Sequence, residues 1–186
     1  MALVALSILV WAQPTSYSWW GGFILACLGE SLRIWALGWT GEHTRGQELK
    51  APRLVTDGPY ALVRNPLYAG NILTASGVLL ASCGGLELGL RWGLILWGAW
   101  ATTLVYASCI DCEERFLEER FGDEFRAYRQ STPALVPHYK TLLACLGRGA
   151  GSESHFNWRD LRFEFSSWGW FIGVWGYLAW RALGGA

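Results

Sequence analysis

The sequence predicts an all-α fold, a polytopic bundle of about five membrane helices, and three observations predict it. Hydrophobic residues make up 52% of the chain and charged residues only 16%, against roughly 25% charged in an ordinary soluble domain. The apolar residues fall in long runs, each near the ~20 residues a helix needs to cross about 30 Å of hydrocarbon. The runs are apolar on every face, as in Ile72-Leu73 and Val78-Leu79-Leu80, whereas a barrel strand alternates apolar and polar residues. Lipid offers no partner to an open backbone amide, so only helices and closed barrels span it. The same composition excludes a disordered chain, which is polar and charged. A formal net charge of zero with no basic stripe argues against nucleic-acid binding.

Taken in order, Met1 to Ala12 is short and uncharged. It lacks the basic leader of a signal peptide, so it reads as a short membrane helix, with a hairpin arm that dips in without spanning as the alternative. Trp19 to Trp39 is apolar except for Glu30, Ser31 and Arg33. Leu67 to Gly85 holds no charge and follows Pro66, whose missing amide costs little at a first helical position. Asn65 is placed to cap that helix by accepting from first-turn amides. Gly70, Ala75, Gly77 and Ala81 suit close packing between membrane helices. Leu88 to Ile110 carries only Arg91. Apolar residues at 110, 116, 117, 121, 125 and 128 then give a helix-spaced stripe. That helix either continues the fourth span or follows a bend, and Gly122 interrupts it. Residues 147–154, GRGAGSES, read as a linker before a C-terminal helix over 161–183. No repeat divides the chain, which reads as one domain over 1–186.

Basic residues set the orientation. Arg45, Lys50, Arg53 and Arg64 precede the third helix, and eight more follow the fourth between Arg115 and Arg162, while the turn between these helices has only Arg91. The positive-inside rule puts both basic segments in the cytoplasm. Five crossings then leave the N-terminus inside, in what reads as a bacterial inner membrane. Trp19, Trp20, Trp39, Trp92 and Trp180 stand near run ends, at the depth amphipathic rings prefer.

Cys109 and Cys112 form a C-x-x-C with no second pair to complete a zinc site. With Cys27, Cys83 and Cys145 they read as small helix-packing residues. His43, His138 and His155 read as loop or interface residues, and no metal is expected.

The chemistry sits in the two basic segments. Asp57-Gly58-Pro59 signals a turn, and Arg64 and Asn65 stand at a helix start beside the membrane surface. A helix N-terminus offers free amides and a positive dipole end, suited to a carboxylate or phosphate, though a plain capped helix reads the same. The pairs Glu113/Glu114 and Glu118/Glu119 are five positions apart and so face different ways. The second pair reads as a solvated face salted by Arg115 and Arg120. The first stands where the apolar run ends, where an unpaired carboxylate is costly and usually has a function. Glu30 and Arg33 share a helix face, as an internal ion pair or as the polar wall of a cavity.

Gly58-Pro59-Tyr60 and Arg64-Asn65-Pro66-Leu67-Tyr68-Ala69-Gly70 resemble the GPY…RHPxYxG block of the isoprenylcysteine carboxyl methyltransferase and phospholipid methyltransferase superfamily. Residues Glu113 to Tyr128, closing on Val136-Pro137, resemble that superfamily's EExxLxxxFGxxYxxY…VP block. The resemblance covers about 28–137. It implies an integral-membrane methyltransferase that binds S-adenosylmethionine on the cytosolic side and takes a lipid or lipid-like acceptor from the bilayer. It further implies that Tyr60, Asn65, Pro66, Leu67, Tyr68 and Glu114 bind the cofactor, with Glu113, Glu114 and Arg64 as the catalytic candidates. Two positions depart from the pattern: Asn65 replaces the histidine of RHP, and Cys109 stands where some members have an arginine. These departures keep a non-catalytic membrane subunit of the same fold in view, and the resemblance extends more distantly to an NADPH-dependent lipid reductase. The acceptor is left open among carboxylates, amines and thiols.

Overall fold

The computed structural model describes residues 7–40, 53–139, 143 and 165–184. The helices are α1 (Ser16–Thr40), α2 (Pro66–Ser82), α3 (Leu88–Phe121), α4 (Asp123–Ser131) and α5 (Phe165–Ala182), with a 3-10 turn at Gly58–Ala61. No strand occurs among the described residues, as the unbroken apolar runs predict.

Two of these helices, α1 and α3, are long and apolar enough to cross a membrane. α2 has 17 residues, a little short of the ~20 that a perpendicular span takes. Residues 7–10 are helical and the helix ends at Trp11, so this piece of the first apolar run is one turn long. The linker 147–154 lies outside the described residues. The fourth run continues without a bend: α3 has 34 residues, about 51 Å at 1.5 Å per residue. Its apolar part ends at Ile110, so Glu113 and Glu114 stand beyond the span. Gly122 then breaks the helix with φ of 53°, a left-handed value that glycine adopts without a Cβ penalty.

The chain forms two compact units, whose described parts belong to Met1–Glu30, Asn71–Ala107 and Glu164–Ala186 in one, and to Ser31–Gly70 and Ser108–Phe163 in the other. In the first, Ala12, Ala26, Ala81, Trp175 and Leu178 make a buried core, with Trp19 and Phe23 packed on it. Gly22 of α1 and Gly77 of α2 meet backbone to backbone. A Cβ built on Gly22 would lie 2.3 Å from the Gly77 carbonyl oxygen, closer than any real contact. The Ser18 hydroxyl donates to the Ala81 carbonyl (3.0 Å). Arg91, expected in a turn, donates to the carbonyls of Gly84 (3.0 Å) and Leu86 (2.9 Å) and so closes the connection from α2 to α3. Thr74 of α2 donates to the Glu30 carboxylate (3.2 Å), a partner the helix-face argument did not foresee.

The cysteine reading needs correction. Cys83 is buried, but Cys109 and Cys112 are exposed. At 100° per residue they lie roughly opposite Glu114 on α3, and it is the Glu114 face that is buried.

Candidate functional site

The second unit joins the two sequence blocks through a buried ion pair. The 3-10 turn Gly58–Ala61 buries Pro59 and Tyr60, and α2 begins five residues later at Pro66. Arg64, just before it, donates to Glu114 Oε1 from Nε (3.1 Å) and Nη2 (2.9 Å). Both side chains are 11% exposed. Asn65 Nδ2 donates to the same oxygen (3.2 Å) and to the Ala134 carbonyl (3.3 Å). Glu114 Oε1 thus accepts three N–H donors, which offsets the cost of burying a carboxylate. The remaining Arg64 nitrogen, Nη1, donates to the carbonyls of Arg129 (3.1 Å) and Thr132.

The segment after α4 completes this clasp with its backbone. The amides of Arg64 and Asn65 donate to the carbonyls of Pro133 (2.8 Å) and Ala134 (3.0 Å). The Tyr128 hydroxyl donates to the Tyr60 carbonyl (2.7 Å). α4 is held because Phe125 and Tyr128 are buried three positions apart on one face.

Two expectations are corrected here. The Asn65 side-chain amide faces Glu114 and Ala134 and does not cap α2; only its backbone carbonyl serves the helix, accepting from the Ala69 amide (3.0 Å). Its Nδ2 donates to the buried Glu114 carboxylate, and this charge-assisted hydrogen bond sets the orientation of the side chain. Glu118 is not salted by Arg115 and Arg120. It pairs with Arg126 (2.9 Å) and Arg129 (3.4 Å), because α4 folds back past Gly122, while Arg115 pairs with Asp111 (2.8 Å). Glu119 is exposed, as expected.

Glu113 has a different environment from Glu114. The two are about 100° apart on α3, and Glu113 turns to the Tyr68 hydroxyl, which donates to it. Burial pushes the Glu113 carboxyl up from its ordinary range, the Tyr68 hydrogen bond pulls it back down, and the neighbouring Glu114 charge adds to the rise. The Tyr60 phenol lies within the field of Glu113 and is hydrogen-bonded to the Thr40 hydroxyl; burial raises its pKa strongly.

Trp39 lies over the 3-10 turn. A Cβ on Gly58, whose φ is +59°, would come within 2.4 Å of the Trp39 ring, and the Trp39 indole N–H is buried without a partner among the described residues. Gly58→Ala therefore meets both a left-handed backbone and a ring. We expect it to cost about 1–3 kcal/mol, read as a lowered unfolding midpoint in detergent; an unchanged midpoint would show that the turn repacks freely.

The structure therefore brings Tyr60, Arg64, Asn65, Tyr68, Glu113 and Glu114 into one unit, and it separates their tasks. Pro66 is fully buried under the clasp and Leu67 is half-buried. Thr40 and the 132–134 carbonyls were not singled out from the sequence, where Trp39 stood only as a ring near a run end and Arg129 only among the basic residues after the fourth helix. Tyr128 carried a signal as part of the second block; a backbone carbonyl carries none.

These two blocks, joined as described, lie largely within one family signature: the model of the phospholipid methyltransferase family matches residues 17–124, more than half of the chain. The chain belongs to that family. Among curated proteins it is similar to the protein-S-isoprenylcysteine O-methyltransferase of Schizosaccharomyces pombe, with 33% identity over 120 residues, 62% of this chain and 47% of that protein. It is 37% identical over 113 residues to the cobalt-zinc-cadmium resistance protein CzcN of Cupriavidus metallidurans, covering 61% of this chain and 48% of the relative. It is 33% identical over 102 residues to methanethiol S-methyltransferase 1 of Bradyrhizobium diazoefficiens, covering 54% and 32%. The chain thus spans about half the length, or less, of these relatives. No solved structure matches it.

The residues gathered in this unit fit the methyl donor that the family implies. S-adenosylmethionine carries a sulfonium cation and several hydrogen-bond acceptors. Glu113 offers a carboxylate whose described donor is the Tyr68 phenol, and Trp39 offers an N–H with no acceptor among the described residues.

Proposed function

We propose that this protein transfers a methyl group from S-adenosylmethionine to a hydrophobic or lipid-linked acceptor at the cytosolic face of a membrane. The observation that carries the reading is the Arg64–Glu114–Asn65 clasp. It fastens the two family blocks together and leaves Tyr60, Tyr68, Glu113 and the Trp39 N–H grouped beside it. Those four would hold the cofactor, with Leu67 beside them and with Asn65, Pro66 and Glu114 fixing the wall behind. When bound, S-adenosylmethionine supplies an electrophilic methyl group. The chain's own work is orientation: in-line alignment of nucleophile and methyl group removes several kcal/mol of barrier.

A membrane setting is supported by α1 and α3, and by the tryptophans that face outward, Trp20, Trp92, Trp100, Trp170 and Trp180 among them. So much exposed aromatic surface suits lipid better than water. The cytosolic placement rests on the asymmetry of the basic residues.

Calorimetric titration of the purified full chain with S-adenosylhomocysteine tests the reading. Saturable one-site binding, weakened at least tenfold by Tyr60→Ala, is the expected result. No binding to a folded protein would overturn it in favour of a non-catalytic membrane subunit, and saturable binding of NADPH instead would point to a reductase.

A further inference from the structure

We infer that Cys109 and Cys112 form a separate binding site on α3, a two-thiolate chelate for one soft, monovalent cation of the copper(I) class. This site goes beyond the methyl-transfer reading and does not depend on it.

The expectation of no metal rests on both cysteines packing inside the bundle, and the structure removes that role. Both thiols are free and exposed. Cysteine is among the most often buried residue types, so two of them on one exposed face call for a reason other than packing. Three positions apart on a helix that runs unbroken from Leu88 to Phe121, they are surface neighbours. They lie roughly opposite the buried Glu114 face, and so stand outside the clasp.

Distance decides what the pair can hold. Cβ atoms three positions apart on a helix are about 5–6 Å from each other. A disulfide needs them at about 3.5–4.5 Å, so a direct S–S bond would distort α3. A cation set between the sulfurs removes that conflict. Two bonds of about 2.3 Å, the length a thiolate makes to zinc, keep the sulfurs up to about 4.6 Å apart, and the helix stays as it is.

Ligand number selects the ion. Asp111 stands between the two cysteines in sequence but pairs with Arg115 at 2.8 Å. Among the described residues no group of three or more His, Cys, Asp or Glu is placed to hold a metal. Zinc in a structural site takes four ligands, whereas copper(I) is selected by soft thiolates and is satisfied by two of them in line. As the ion binds, both S–H bonds break, the two protons pass to water, and both sulfur electron pairs form bonds to the metal. The ion is neither oxidised nor reduced. Because α3 holds the thiols ready, capture of the second is intramolecular, which strengthens binding by roughly 10²–10⁴ without any further contact.

The test titrates the full chain, reduced and in detergent under argon, with copper(I) in competition with the chromophoric chelator bathocuproine disulfonate. One tightly held ion per chain is expected. Cys109→Ser and Cys112→Ser should each weaken it by roughly 100-fold or more, and the double variant should lose little beyond either single change. Cys27→Ser, on α1, should change nothing. The decisive variant keeps the number of thiols and moves one of them. Asp111→Cys/Cys112→Ser puts the two thiols two positions apart, where they do not face each other, and it should bind no better than the single variants. X-ray absorption at the copper edge should report two sulfur ligands. Unfolding midpoints of the exposed-site variants should stay unchanged, so that a lost site is distinguished from a lost fold. Undiminished affinity in the moved-thiol variant or in the double Cys→Ser variant would overturn the inference. So would half an ion per chain, which would mean that the pair bridges two copies. Equally tight zinc binding, lost in the same variants, would overturn it by requiring ligands beyond the two thiols.

Discussion

Glu114→Gln will destabilise the site-bearing unit by about 3–5 kcal/mol, the cost of leaving one member of a buried pair without its partner. The Arg64 and Glu114 side chains are each 11% exposed, and a single carboxylate oxygen holds both Arg64 and Asn65. Glutamine keeps the shape and loses the charge, so the Arg64 guanidinium stays buried against a neutral group. The effect should reach the ligand as well, because the same pair holds the start of α2 against the 132–134 carbonyls. Glu118→Gln supplies the control. Its partners Arg126 and Arg129 are 58% and 54% exposed, and exposed pairs contribute no more than about 1 kcal/mol. The double variant Arg64→Met/Glu114→Leu should lose much less than the sum of the two single changes, since an apolar pair of similar volume removes both desolvation costs. Chemical unfolding in detergent, with S-adenosylhomocysteine affinity on the same samples, measures each of these variants and the two single changes. Equal losses from Glu114→Gln and Glu118→Gln would show that the clasp acts only through bulk charge.

Gly22→Leu and Gly77→Leu will each destabilise the other unit, by about 3 kcal/mol or more, the upper end of the overpacking range. The clash is reciprocal. A Cβ on Gly22 would lie 2.3 Å from the Gly77 carbonyl oxygen, and one on Gly77 would lie 2.5 Å from the Gly22 oxygen. Backbone cannot give way as a flexible side chain can, so the two helices must move apart and lose contacts around Ala26 and Ala81, both fully buried. The matched control is Gly93→Ala on α3, where an added Cβ meets nothing within 4 Å. Alanine there should be neutral or stabilising by up to about 1 kcal/mol from helix propensity alone. Unfolding midpoints in one detergent decide the matter; a Gly22→Leu protein as stable as Gly93→Ala would mean that α1 and α2 do not pack through these glycines.

Several features were legible in the sequence because their causes are local. Pro66 opens α2, and the unbroken apolar run after it has no alternative to a helix. Gly122 ends α3, since the sharp reversal into α4 takes a positive φ. The amphipathic spacing of Phe125 and Tyr128 foretold which face of α4 is buried. The second block was legible as a motif, but the division of labour inside it was not. Glu113 and Glu114 are neighbours of identical chemistry, and only the position of the α2 start relative to α3 decides which one meets Arg64. Cys109 and Cys112 illustrate the same limit: a small apolar residue packs inside a bundle only if its face of the helix is covered, and theirs is not.

The sequence by itself determined the helical class, the start of α2 at Pro66, the break at Gly122, and the two blocks that carry the chemistry. Composition and periodicity act along the chain, within a turn or two of each residue, and so are readable without coordinates. The tertiary structure alone decided that Arg64 pairs with a carboxylate 50 positions away, that Asn65 serves that carboxylate and not its own helix, and that Glu118 belongs to α4. The physical reason is that a charge selects its partner by distance and by shielding from solvent, and both quantities exist only once the helices have packed.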